Sequence, residues 1–464
     1  MSNQIEKNDI VTVTIEDISM NGEGIGRFNG YTLFVKDTVV GDVAEVKVIK
    51  AKKTYGYGRL MKLIIPSKDR VAPKCPIAKQ CGGCQIQEMS YESQLRFKEK
   101  LVANNLERLG GIMPGTYEMC PIIGMDEPWH YRNKAQFPVG VNKDGKIVMG
   151  FYAGRTHSII ETEECFLGDK VNEKVLAAVR AFMEENKVAA YDEESHRGVV
   201  RHVLIRKGFK TGQVMVCLVI NGDNLKNSDK LIEKLVEIEG VSSITISINK
   251  EKTNVIMGTT IKTLWGKPYI EDYIGDICYQ ISPLSFFQVN PVQTEKLYSK
   301  ALEYAGLTGN EMVWDLYCGI GTISLFLAKN CKKVCGVEII PQAIENAREN
   351  ARINGIENAE FFVGKAEEVL PKFYEREYKE TGIRPTADVI VVDPPRKGCD
   401  EVLLNTIVSM KPKRVVYVSC DSATLARDLK FLRGNGYEVK KVQTVDQFGH
   451  TVHVETVVLL HAQK

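Results

Sequence analysis

From Pro291 onward the chain alternates short apolar runs with helical stretches, and this alternation restricts its second half more than any other feature. Residues 312–316, 333–338, 387–392 and 414–419 read as strands, and residues 322–329, 341–354 and 403–410 as the helices between them. Strands separated by helices pair in parallel through crossover connections, so a doubly wound α/β domain is expected over residues 281–464.

At 464 residues the chain is too long for one ordinary core, and about three domains are expected. Over residues 1–66, Val11, Val13 and Ile15 alternate with Thr12 and Thr14. Further short strands follow at 31–35 and 43–49, with turns at Asn21-Gly22, Asn29-Gly30 and Gly41-Asp42. A small OB-like β-barrel ending near Pro66 fits this pattern. Gly22, Gly24 and Gly26 suit its hairpin turns better than a nucleotide loop, because no strand–loop–helix unit surrounds them. Residues 67–280 mix strands (199–206, 213–220) with helices (172–185) and read as an α+β central domain. Within it a helix begins near Tyr91 and stops at Gly110-Gly111, and residues 91–125 are a candidate to pack on the third domain.

With 44% hydrophobic and 26% charged residues and no apolar run long enough for a bilayer, a cytoplasmic, monomeric protein with no membrane contact is expected. Twelve cysteines in such a compartment read as metal ligands or reactive thiols rather than disulfides. A net charge of +2 excludes a global field that would announce nucleic acid. The sign is local instead: Lys47, Lys50, Lys52, Lys53, Arg59, Lys62, Lys68, Arg70, Lys74 and Lys79 crowd one N-terminal stretch, interleaved with Tyr55 and Tyr57. Such a surface suits phosphates and stacked bases, or equally a strand edge guarded by lysines.

In Trp314-Asp315-Leu316-Tyr317-Cys318-Gly319-Ile320-Gly321-Thr322 a strand enters a glycine-containing loop and then a helix, where the backbone can approach a ligand closely. Glu338 ends the next strand, placed to accept hydrogen bonds from ribose hydroxyls. The loop lacks the full pyrophosphate fingerprint and resembles the S-adenosylmethionine loop of class I methyltransferases. Asp393-Pro394-Pro395-Arg396 follows another strand end, where the prolines stiffen the turn. Asp393, standing where enzymes methylating exocyclic amines commonly carry Asn, argues against amine chemistry. Cys420 closes the run of residues 415–419 and precedes a helical stretch, so the positive end of that helix is expected to favour its thiolate.

Residues 285–290, 315–322 and 393–398, then Ser419-Cys420 and His453-Val454-Glu455, stand in an order that strongly resembles the RNA 5-methyluridine methyltransferase family. The likeness extends over nearly the whole chain, and the N-terminal barrel looks like the TRAM module of that family. The resemblance implies that Gln288, Tyr317, Glu338 and Asp393 contact S-adenosylmethionine, that Cys420 is the nucleophile and that Glu455 is the base. Uracil C5 is a weak nucleophile. A thiolate added at C6 turns C5 into an enolate carbon, and a carboxylate then removes the C5 proton so that the thiolate can leave. Arg396 is a candidate donor to the uracil O4 on electrostatic grounds. Two departures from the family stand beside the site: Gly449, where many relatives have Pro, and Asp421-Ser422, where they have Asn-Pro.

Cys75, Cys81 and Cys84 form C-x5-C-x2-C in a loop rich in Gly and Pro. Zinc is the general expectation for clustered thiols, whereas the resemblance implies a [4Fe–4S] cluster completed by Cys165. By the same resemblance, the barrel together with these four cysteines implies structured RNA as the substrate, and 23S ribosomal RNA in particular. The alternatives are the T-loop uridine of transfer RNA and an RNA-binding iron–sulfur protein that has lost activity.

Overall fold

In strand β1 (Ile10–Ile18) residues alternate between exposed and buried, the signature of one face turned to a core. It forms a closed five-stranded barrel with β2 (Gly24–Phe28), β3 (Tyr31–Val35), β4 (Val43–Ala51) and β5 (Tyr55–Ile65) in the order β1-β2-β3-β5-β4. Val13, Ile15, Leu33, Val35, Ala44, Val46 and Val48 fill it. Only Gly22 of the three early glycines lies in the turn, at φ +84. Gly24 and Gly26 lie in β2 instead, and a Cβ on Gly24 would sit 2.1 Å from Thr38 Oγ1. They are glycines because the barrel wall is tight there, not because the chain turns.

The structure is a computed structural model that describes residues 5–154, 156–162, 164–382 and 387–463, and these fall into two compact units. The first unit holds the barrel and takes in Phe151–Ile160 and Phe448–His453. The 448–453 segment is fixed within it: Lys98 Nζ donates to Phe448 O at 2.9 Å, and Gln94 Oε1 accepts from His450 N at 2.9 Å.

In chain order there follow α1 (Tyr91–Arg108), β6 (Glu118–Ile123), β7 (Lys134–Val141), β8 (Ile147–Tyr152), β9 (Ile159–Glu161), α2 (Val171–Glu185), β10 (Val200–Lys207), β11 (Val214–Ile220), α3 (Ser228–Val236), β12 (Val241–Ile248) and β13 (Thr260–Gly266). A seven-stranded sheet runs β13-β12-β11-β10-β7-β8-β9, and a hairpin of β14 (Ile270–Ile274) and β15 (Ile277–Ile281) follows.

The remaining elements are α4 (Pro291–Ala305), β16 (Met312–Asp315), α5 (Thr322–Ala328), β17 (Lys333–Glu338), α6 (Pro341–Ile353), β18 (Ala359–Val363), α7 (Ala366–Thr381), β19 (Val389–Val392), α8 (Glu401–Met410), β20 (Arg414–Ser419), α9 (Ser422–Gly434), β21 (Tyr437–Val445) and β22 (Glu455–Ala462). They build an eight-stranded sheet in the order β18-β17-β16-β19-β20-β22-β21-β6. The first five strands are parallel, and β22 runs antiparallel to β20. The strand order reverses between β16 and β19, which opens a crevice at their carboxyl ends. The outermost strand, β6, comes from far upstream and pairs in parallel with β21. Val102, Leu106 and Ile112 join the core beneath β16, β19 and β20.

Candidate active site

Cross-strand register puts the sequence-predicted residues along one edge. Asp315 pairs with Gly336 and Val391, Val392 with Tyr417, Ser419 with Thr456, and Glu455 with Val445. Asp315, Glu338, Asp393 and Cys420 therefore stand at the carboxyl ends of parallel strands, and Glu455 at the start of the antiparallel strand beside them. This is the edge at which open α/β sheets bind ligands.

The carboxylates there are buried with little positive charge to offset them. Burial raises Glu455 above the ordinary carboxylate range, the Asp393 charge adds to the rise and Arg396 opposes it. Asp393 is raised by burial and then by the Asp315 charge. Asp315 is pushed up to about 6 by burial, against hydrogen bonds from Ser324 and the Tyr317 backbone. Its Oδ2 accepts from Ser324 Oγ at 2.6 Å, while its Oδ1, fully buried, has no partner.

Cys420 differs from the expectation of an activated thiolate. Burial pushes its thiol up to about 12, with Glu455 and Asp393 adding to the rise and Arg396 opposing it. The next residue adds a smaller push in the same direction. Asp421 is the N-cap of α9, and its Oδ1 accepts from the backbone N–H of Ala423 at 3.0 Å and Thr424 at 2.9 Å. The helix terminus that would have stabilised a thiolate is taken by that carboxylate, which leaves burial and the Glu455 and Asp393 charges to favour the thiol.

Sequence reasoning did not single out Tyr298 on α4. Its hydroxyl is buried, hydrogen-bonded to Thr322 Oγ1 at 3.1 Å and to Gln288, and it feels the Asp393 charge. Gln288 is also tied through its backbone oxygen, which accepts from Asn133 Nδ2 at 2.9 Å. Tyr317 lies in the loop after β16, hydrogen-bonded to the Cys399 side chain. The signal for Tyr298 was its spacing, two turns into a helix that opens on Asn290-Pro291.

The loop of residues 316–321 fits a nucleoside cofactor. A Cβ at Gly319, φ +54, would meet nothing within 4 Å, which leaves the backbone open to a ligand. Glu338 ends β17 next to it, and Ile339, 64% exposed, offers an apolar face beside that carboxylate.

Cys75, Cys81, Cys84 and Cys165 are each partly buried, and Gly83 N–H donates to Cys81 Sγ at 3.4 Å. Among the described residues no group of three or more His, Cys, Asp or Glu is close enough to hold a metal ion. No step of the chemistry is routed through a cluster.

On the barrel, Tyr55 and Tyr57 join Phe34 in an aromatic group, with ring centroids 5.7 to 5.9 Å apart. Lys52 Nζ lies 5.0 Å from the centre of the Tyr55 ring. Partly exposed rings with lysines around them are a surface on which bases can stack.

Among the described residues no helix is long and apolar enough to cross a membrane. The model of the tRNA (uracil-5-)-methyltransferase family matches residues 91–463, and that of the TRAM domain matches residues 4–61. An uncharacterized RNA methyltransferase of Halalkalibacterium halodurans is 52% identical over 457 residues, 98% of either chain. One from Clostridium acetobutylicum is 50% identical with the same coverage. Among solved structures, the Pyrococcus abyssi tRNA (uracil-54, C5)-methyltransferase in complex with S-adenosyl-L-homocysteine superposes with a TM-score of 0.77 at 30% identity. The match covers 97% of this chain and 100% of that one.

Proposed function

Because the chain belongs to the tRNA (uracil-5-)-methyltransferase family and carries a TRAM domain, we propose that it methylates C5 of a uridine in structured RNA, with S-adenosylmethionine as donor. The observation that carries this reading is the meeting of Cys420, Glu455, Asp393 and Arg396 at one sheet edge beside the 316–321 loop. When bound, S-adenosylmethionine supplies an electrophilic methyl group on a sulfonium. Gln288, Tyr317, Glu338 and Asp393 are the residues we assign to holding it, and the unpartnered Asp315 Oδ1 can accept a hydrogen bond from it.

Cys420 adds through its sulfur to C6 of the uracil, giving a C5 enolate whose O4 charge faces Arg396. After C5 has accepted the methyl group, Glu455 removes the C5 proton, the C5–C6 double bond re-forms and the Cys420 thiolate leaves. A uridine must leave its stack to reach a half-buried cysteine. Because Cys420 rests as a thiol, its proton has to leave to solvent before attack, so that Glu455 stays ionised to accept the C5 proton. Cys420→Ala that kept full methyl transfer would overturn the covalent route.

We assign 23S ribosomal RNA as the substrate, on the combination of the TRAM barrel with Cys75, Cys81, Cys84 and Cys165. The reading as a transfer-RNA enzyme rests on a different observation, the 30% identity to a tRNA (uracil-54, C5)-methyltransferase. Mass spectrometry of 5-methyluridine in both RNAs from a deletion strain separates the two. Loss from ribosomal RNA alone supports the first, and loss from transfer RNA alone overturns it. The presence of both Cys420 and Glu455 speaks against an inactive RNA-binding protein.

The division of labour that goes with this reading is an RNA-binding barrel (1–66), a central domain (67–280) and a catalytic domain (281–464), in a cytoplasmic monomer. We further propose a [4Fe–4S] cluster on the four cysteines, resting on their spacing and on the family likeness. Iron and acid-labile sulfide in anaerobically purified protein, lost together in Cys81→Ser, test it. Zinc in their place would overturn it.

A further inference from the structure

The loop that carries Asp393 and Arg396 is gripped by the helix that begins just after Cys420. Thr424, Arg427 and Asp428 recur at i, i+3 and i+4 and so line one face of α9. Thr424 Oγ1 donates to Arg396 O at 3.0 Å. Arg427 Nη2 donates to Lys397 O at 2.9 Å and to Cys399 O at 3.1 Å. Asp428, with no exposed side-chain surface, accepts at Oδ2 from Cys399 N at 2.8 Å and from Tyr417 Oη at 2.6 Å, and at Oδ1 from Arg427 Nε at 2.8 Å.

Tyr417 stands on β20, three residues before Cys420. Its hydroxyl also lies 3.5 Å from Cys399 Sγ, the thiol to which Tyr317 of the cofactor loop is hydrogen-bonded. Space for this grip exists because residue 398 is glycine. At φ +75, a Cβ there would come within 2.6 Å of both Arg427 Nη2 and Asp428 Oδ2.

Resting on the methyltransferase reading above, we propose that Asp428 is a positioning residue. With Tyr417 and Arg427 it clamps the 393–399 loop onto α9, so that Arg396 and Cys420 are held as one rigid piece. A carboxylate that is buried and accepts three hydrogen bonds spends them all on one loop, one strand and its own helix. The piece it ties together carries the nucleophile at one end and, at the other, the cation whose charge opposes the pull of the carboxylates on that nucleophile. A displacement of about 1 Å in such a pair is enough to cost up to about a hundredfold in rate.

The full-length protein and its Tyr417→Phe and Asp428→Asn variants test this, with Tyr437→Phe as control. Tyr437 is a buried tyrosine of β21 whose hydroxyl donates to Pro412 O at 3.2 Å, away from the loop. Methylation of in vitro transcribed 23S ribosomal and transfer RNA should show kcat lowered about tenfold or more in both clamp variants. The KM for S-adenosylmethionine should change less than kcat, since the clamp's hydrogen bonds fall on Arg396, Lys397 and Cys399 and not on Asp393.

A second readout is independent of turnover: the rate at which iodoacetamide labels Cys420, followed by peptide mass spectrometry against pH. The clamp variants should need higher pH, with labelling at about pH 8 slowed about threefold or more, because the offsetting charge has moved. Tyr437→Phe should lower the melting temperature comparably and leave both readouts unchanged. If Tyr417→Phe and Asp428→Asn lose only melting temperature, with kcat and the labelling profile of the wild type, the clamp is merely structural and the proposal is overturned. If the wild type methylates neither RNA, the methyltransferase reading has failed, and the labelling profile still decides whether the clamp holds Arg396 to Cys420.

Discussion

Asp42 in the barrel and Asp315 in the catalytic sheet are both fully buried aspartates, and their surroundings are opposite. Asp42 accepts from Val39 N at 2.7 Å, Ser67 N at 2.9 Å and Arg70 Nε at 3.1 Å. Burial would raise its pKa, but Arg70 and the two backbone donors outweigh burial and lower it. Asp315 has one oxygen with no partner and is pushed up to about 6. Asp393 and Glu455 are likewise raised by burial. A buried carboxylate with every lone pair occupied is a building block, whereas one left short is held ready for a ligand or a proton.

The largest effect that separates the two regions should come from Glu455→Gln. Turnover should fall about 10²- to 10⁴-fold, while the RNA adduct persists because nothing takes the C5 proton. The fold should not suffer. Glu455 is raised, so the stability linked to it is full below the unfolded value of about 4.3 and is lost as pH rises through the raised value. Gln cannot ionise, so the variant should melt higher than the wild type at about pH 8. In the wild type, the acid limb of the rate profile should lie well above the ordinary carboxylate range, since Glu455 must be ionised and Cys420 deprotonated. An acid limb near pH 4 would erase the contrast with Asp42.

Asp42→Ala should do the reverse. Breaking a buried ion pair costs about 3–5 kcal/mol, seen as a lower urea midpoint, with methylation intact at permissive temperature. Because Asp42 is lowered, its contribution is present above the unfolded pKa and is lost as pH falls through the folded value, so wild type and variant should converge in acid. Asp315→Asn comes next. Affinity for S-adenosylhomocysteine, by calorimetry, should weaken by about 1.5–3 kcal/mol, with the melting temperature held or raised at neutral pH. A loss of stability without loss of affinity would place Asp315 with Asp42.

How much of this was legible in the sequence follows the same division. The strand-to-loop signals around Asp315, Asp393 and Cys420 are local, and the structure carries them on adjacent strand ends as the alternation implied. Pairing of β6 with β21 joins residues over 300 positions apart, and no local period can announce it. The state of Cys420 departs from the sequence expectation because burial and the charges of Glu455 and Asp393 outweigh the helix terminus, and because Asp421 looks like an ordinary helix cap in sequence. Only the structure puts its oxygen on the two N–H groups that the thiolate needed. Asp428 and Arg427 look like an exposed charged stretch of a helix until the loop they hold is seen.

The smallest effect belongs to the barrel's outer surface. Replacing Lys47, Lys50 and Lys62 by Ala should lower the slope of log affinity for RNA against log salt by about one for each phosphate no longer neutralised, with kcat unchanged at saturating RNA. An unchanged slope would move the RNA footprint off the barrel and leave Asp42 stabilising a domain with no part in binding.

The central claim is that Cys420 bonds to C6 of the uridine that is methylated. Incubation with S-adenosylmethionine and target RNA bearing 5-fluorouridine tests it directly, because fluorine at C5 cannot leave as a proton and the adduct cannot resolve. The account predicts a denaturation-resistant protein–RNA species whose peptide mass maps to Cys420 and which is absent in Cys420→Ala. Turnover of unsubstituted RNA with no such species, or a species that persists in Cys420→Ala, would contradict it.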